Sequence, residues 1–176
     1  MKKGLVLVIS LLCLSLVGCG DKSSSNGTET AKGNVSDYSF KDNIVVMEDL
    51  TLEITDYKVI QPGAAGNEYG DKPVIAFWYN VTNTSEKEFD AITAWLVSFD
   101  NPIQDNDPNL INTLEPAALP DYNFLDSQTE TIKPNGTVEC ACAYYLDDMT
   151  TPVLLKSHKG IGGEFLGEQL YEIEGK

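Results

Sequence analysis

The chain reads as an all-β protein, a sandwich of seven to eight short strands, and three observations predict it. Apolar residues alternate with polar ones at period two in several segments. Turn-forming Gly, Pro, Asn and Asp punctuate those segments at short intervals. No long stretch repeats its apolar residues at helical spacing. Such a pattern suits two packed antiparallel sheets.

The elements follow in order. Residues 43–47 form a short apolar run. Leu50, Leu52 and Ile54 then alternate with Thr51, Glu53 and Thr55. Tyr57 and Val59 fall on the other parity, which predicts a bulge near Asp56. Residues 61–67 are a Gly- and Pro-bearing loop. Residues 73–81, rich in β-branched and aromatic side chains, are the strongest strand. A turn at Asn83-Thr84-Ser85 leads to a strand over 91–99. A long connection covers 100–127, with a short helix expected over 109–115 behind Pro108. Strand character resumes at 128–132, and Lys133-Pro134-Asn135-Gly136 turns the chain into a strand over 138–146. Two further strands are expected at 153–156 and 169–173. The last of the long strands puts Val138, Cys140, Cys142 and Tyr144 on one face, read as inward, with both thiols as small core fillers.

Ahead of this body lie two segments of other composition. Lys2 and Lys3 precede a 14-residue apolar run over 4–17, the proportions of an export signal rather than a membrane span. The run ends in Leu16-Val17-Gly18-Cys19, which resembles the lipobox of bacterial lipoproteins. The resemblance implies cleavage between Gly18 and Cys19 and a diacylglyceryl group on the Cys19 thiol. Two acyl chains anchor stably, whereas one binds reversibly. The division is therefore a signal peptide over 1–18, a lipidated N-terminus and flexible tether over 19–42, and the sandwich over 43–176. The tether is rich in Ser, Gly, Asn and Thr and carries too few apolar residues to fold alone.

Charge narrows the partners. The chain has 12 lysines, no arginine and 27 acids, for a net charge of −15. Loss of Lys2 and Lys3 with the signal leaves 10 lysines against 27 acids, a net charge of −17. Phosphate backbones repel such a body, which excludes nucleic acid as a partner. Cations or a basic protein surface suit it better.

Candidate sites are few. Asp100, Asp105, Asp107, Asp121 and Asp126 crowd the long connection. Asp105-Asn106-Asp107-Pro108-Asn109 starts like a calcium loop, but Leu110 stands where glycine is required and Pro116 where a bidentate Glu belongs. Asp100, Asp105 and Asp107 are thus candidate calcium ligands of a looser kind, and no other cofactor is expected. Trp78, Tyr122 and Phe124 are candidates for a binding surface. His158, the only histidine, lies in a polar loop, so a histidine-based nucleophile is not expected.

Three stretches carry a family likeness: Lys72 onward (KPVIAFWYNVTNTS), Ile132-Lys133-Pro134-Asn135-Gly136-Thr137-Val138, and Tyr144-Tyr145-Leu146-Asp147-Asp148. They resemble the strand pattern of domain of unknown function 5067, a family of bacterial secreted domains similar to other immunoglobulin-like extracellular domains. The resemblance implies an immunoglobulin-like antiparallel β-sandwich with no catalytic residues. The expected role is that of a monomeric, non-catalytic binding module. It would be lipid-anchored on the extracytoplasmic face of the cell membrane and meet an envelope or extracellular protein. The alternatives are a small cell-wall hydrolase using paired carboxylates and a calcium-stabilised structural module.

Overall fold

The computed structural model describes residues 38–173. The segment read as a signal peptide, the cleavage expected between Gly18 and Cys19, and most of the residues read as tether lie outside the described residues. Within them, two antiparallel sheets pack face to face. The first holds five strands in the order β1 (Ser39–Lys41), β2 (Ile44–Val46), β3 (Leu50–Ile60), β4 (Val74–Asn83) and β7 (Thr137–Tyr145). The second holds β6 (Asn112–Thr113), β5 (Ile103–Gln104), β8 (Val153–His158) and β9 (Phe165–Tyr171) in that order. The all-β sandwich is the observed fold, with one helix added. Strand β1 precedes Asn43, so residues read as tether belong to the first sheet.

The core follows the alternation. Leu50, Leu52 and Ile54 of β3 face Ile75, Phe77, Tyr79 and Val81 of β4, all buried. The β3–β4 register shifts between Ile54 and Asp56, the bulge that the parity change at Tyr57 demands. Cys140 and Tyr144 of β7 complete this face, with Val138 and Cys142 packed against it. Both cysteines are free. Burial pushes both thiols upward, Cys142 furthest, which keeps them protonated and poorly reactive.

A two-residue hairpin joins β1 and β2 through Asp42 (φ 52°) and Asn43 (φ 68°), the left-handed pair of a type I′ turn. Asn43 ties this tip to the other sheet. Its N–H donates to Gln169 Oε1 (3.1 Å), and its Oδ1 accepts from Gln169 Nε2 and from the Tyr171 hydroxyl. Gly167 (φ 148°) lets β9 lie against β1, because a methyl group there would stand 2.3 Å from the Phe40 carbonyl oxygen.

Three local expectations are corrected. Residues 91–99 form not a strand but helix α1 (Ala91–Ser98). Asp90 caps it, accepting the Thr93 N–H at 2.7 Å. Its buried residues, Ala91, Ala94, Trp95 and Ser98, recur at helical spacing, which outweighs the β-propensity of its Ile, Trp and Val. The helix expected at 109–115 is absent. Asp107 Oδ1 instead accepts the N–H groups of Asn109 (2.7 Å) and Leu110 (2.9 Å), and this turn diverts the chain into β6. Residues 128–132 form turns rather than a strand: Gln128 N–H bonds back to Phe124, and Thr129 and Glu130 to Asp126. Only Ile132 enters the core there.

The long connection wraps the open edge of β7. Leu114 is buried in the core, and Pro116 bridges to Tyr144. Tyr145 N–H donates to Glu115 and Ala117 N–H to Ala143. Ala117 then packs with Trp78 and Tyr145 over Ile60, Val74, Ala76 and Ala143, a second apolar cluster on the outer face of the sheet. Covering the edge removes a template for unwanted strand pairing.

Candidate functional site

The site is built around a glutamine. Gln104 is fully buried on β5. Its Nε2 donates to the carbonyls of Thr151 (2.8 Å) and Asp148 (3.1 Å). Its Oε1 accepts the N–H of Asp147 (2.7 Å) and of Asp148 (3.3 Å). One side chain thus satisfies four backbone groups and holds the loop after β7 against the long connection.

Two carboxylates project from that loop. Asp147 is exposed, and its Oδ2 accepts Nδ2 of Asn106 (3.0 Å) and of Asn112 (3.2 Å). Asp148 accepts from Asn106 Nδ2, from the N–H groups of Thr150 and Thr151, and from both of their hydroxyls. Burial alone would raise the Asp148 carboxyl. The hydrogen bonds from Thr151, Thr150 and Asn106 outweigh it and hold the carboxyl well below the usual carboxylate range.

A stability effect follows, with its sign set by the lowered value. The unfolded Asp148 titrates near 3.8 and the folded one lower. Its contribution is therefore present above about pH 4 and lost as pH falls through the folded value. Asp148→Asn is expected to lower the melting temperature most at neutral pH, and the gap to wild type should narrow below about pH 4. Melting curves from pH 7 to pH 3 check this; a gap that stays constant contradicts it.

These residues line a groove. A hollow of about 330 Å³ runs between Asn106, Asp107, Leu110, Ile111, Asn112 and Asp147. Asn112 and Asp147 also line the next hollow, about 230 Å³, which reaches Glu115, Lys72 and Tyr145. Tyr145 in turn lines a third, about 100 Å³, with Glu68, Tyr69 and Tyr122. Leu110 and Ile111 are 70% and 76% exposed at one end, and Tyr69 and Tyr122 are 95% and 60% exposed at the other. Large side chains thus stand in water beside carboxylates along this surface.

The structure distributes the residues singled out in the sequence. Tyr122 stands in the groove on a 3-10 turn (Tyr122–Phe124) capped by Asp121. Trp78 and Phe124 share a separate hollow of about 160 Å³ with Thr55, Asn80 and Glu139. The candidate calcium ligands go three ways. Asp100 faces His158 (Oδ2 to Nδ1 3.1 Å), Asp107 caps its own turn, and Asp105 is exposed next to β5. Among the described residues no group of three or more His, Cys, Asp or Glu is placed to hold a metal ion, so these three acids do not form one site.

Sequence reasoning missed Gln104, Asn106, Asn112, Asp147 and Tyr145. Asp147-Asp148 entered only as the end of a stretch with family likeness, and nothing local ties Gln104 to residues more than forty positions away. It also missed a cavity of about 450 Å³ at the end of the sandwich beside α1. Met47, Leu50, Phe89 and Val97 line it. Ion pairs Lys87–Asp49 (2.7 Å) and Lys159–Glu48 (3.5 Å) stand at its rim.

Sheet order and edge-wrapping connection define a β-sandwich domain in which the long loop supplies the open surface. The chain belongs to the family described as Domain of unknown function (DUF5067), whose model matches residues 24–159. Two solved structures share the fold. A Staphylococcus aureus protein described as a candidate lipoprotein is 18% identical, with a TM-score of 0.64 over 77% of this chain and 91% of that one. A protein from Enterococcus faecalis is 20% identical, with a TM-score of 0.55 over 77% of this chain and 92% of that one. No curated protein matches the chain. Among the described residues no helix is long and apolar enough to cross a membrane.

Proposed function

We propose that this chain is a non-catalytic binding module of the bacterial envelope, held on the outer face of the membrane by a diacylglyceryl group on Cys19. The anchor rests on the Leu16-Val17-Gly18-Cys19 likeness to a lipobox at the end of a short apolar run. The binding role rests on the groove, above all on four large side chains exposed along it, beside a loop that Gln104 holds in place. Preorganisation of this kind lowers the entropy cost of association.

The carboxylates support binding over hydrolysis. A general acid at neutral pH needs a raised pKa. Asp148 is driven the opposite way. Asp147 spends one oxygen on two asparagine amides. Asp148 so held suits a fixed negative charge rather than a proton donor.

A photocrosslinking side chain placed at Tyr122 in the membrane-bound protein is expected to capture an envelope component. The same group at Ile161, which is 91% exposed on the β8–β9 turn, should capture little. Equal capture at the two positions would remove the groove as the binding surface.

A further inference from the structure

We propose that the groove takes an extended basic peptide segment, one in which lysine side chains alternate with apolar ones. This rests on the groove being the binding surface and adds the chemistry of what occupies it.

Charge and surface together select that occupant. Asp107, Glu115 and Asp147 line the first two hollows, and Glu68 lines the third, against Lys72 as the one lysine among the lining residues. Asp107, Glu115 and Asp147 are exposed, so an incoming ammonium need not displace buried structure to reach them. Both amide bonds to Asp147 fall on Oδ2 and neither occupies Oδ1. The surrounding body carries 27 acids against 12 lysines and draws a cationic chain toward it.

The apolar ends exclude a purely electrostatic partner. Leu110 and Ile111 can cover an aliphatic side chain or the methylene stem of a lysine. Tyr69 and Tyr122 can do the same and place ring faces near an ammonium. An acidic or phosphate-bearing polymer meets repulsion along the groove, and a neutral glycan leaves its charges unused. The three hollows share lining side chains, Asn112 and Asp147 between the first two and Tyr145 between the last two, so they lie side by side along one stretch of surface that an extended chain would follow.

The test uses the full-length protein in non-ionic detergent micelles and a fluorescent peptide alternating Lys and Leu, followed by anisotropy. The Lys-Leu peptide is expected to bind, and a Glu-Leu peptide and a neutral oligosaccharide are expected not to. Binding should weaken roughly tenfold between low salt and about 0.5 M salt as the charges are screened. The Glu115→Gln, Asp147→Asn double variant keeps the acceptor for Asn106 and Asn112, and should bind about tenfold more weakly with an unchanged melting temperature. Tyr122→Ala should also weaken binding. If the double variant binds like wild type while Tyr122→Ala binds less, the groove stands and the basic partner falls. If neither variant changes binding, both fall. Equal binding of the Glu-Leu peptide overturns the proposal outright.

Discussion

Replacing Trp95 with alanine is expected to destabilise the sandwich by about 3–5 kcal/mol, the usual cost of removing a large buried aromatic side chain. Trp95 is fully buried where α1 meets both sheets. Its ring lies 5.5 Å from that of Phe77, 4.8 Å from Tyr79 and 4.6 Å from Phe99, centroid to centroid. Its Nε1 donates to the Tyr144 hydroxyl at 2.8 Å. Truncation opens a void among three aromatic rings and also strips a buried hydroxyl of its donor, so cavity and desolvation costs add. Urea unfolding gives the number. Trp95→Phe should cost less than Trp95→Ala, because it keeps most of the packing and loses the hydrogen bond. A loss below about 1 kcal/mol for the alanine variant would mean that α1 is not part of the cooperative core.

Trp95 also shows where local pattern was a poor guide. Its neighbours Ile92, Val97 and Phe99 favour strands, and Trp95, Val97 and Phe99 share a parity, so the segment reads as β from composition. The helix was nonetheless legible in two places: Asp90 three residues before Thr93, and the i, i+3, i+4, i+7 spacing of Ala91, Ala94, Trp95 and Ser98. The strands β3, β4 and β7 were readable because each buries a face at period two, and the bulge at Thr55 was readable because the parity changes there. Strands β5 and β6 were not, being two residues each and held by pairing, β5 with β8 and β6 with β5, rather than by their own pattern.

The groove was half legible. The 100–127 connection, crowded with acids in the sequence, supplies Asp107 and Tyr122 to the hollows. Its other wall comes from Asp147 and Tyr145, which belong to β7 and the loop behind it. Sequence spacing cannot report that proximity, because Gln104 creates it by bonding across the fold to Asp147, Asp148 and Thr151. The acidic run misled for a related reason. Asp105 and Asp107 look like paired ligands in a linear string, but the exposed Asp107 carboxylate turns back on its own loop to accept the N–H groups of Asn109 and Leu110.

The second large effect concerns the anchor. Cys19→Ala is expected to abolish lipid attachment and to block cleavage after Gly18. The thiolate is the only nucleophile at that position able to take the diacylglyceryl group. Each buried methylene contributes about 0.8 kcal/mol to membrane binding, so loss of two acyl chains removes the whole anchor and not merely part of it. Labelled fatty acid should enter the wild-type protein and not the variant, and the variant should migrate as the longer precursor. The body itself should be unaffected, since its described core starts at Phe40.

The most direct measurement on the account as a whole is mass spectrometry of the N-terminal peptide of the protein extracted from cell membranes. The account predicts a peptide that begins at Cys19 and carries a diacylglyceryl group on its sulfur. A peptide running through an unmodified Cys19, or a mature N-terminus at any other residue, would contradict it.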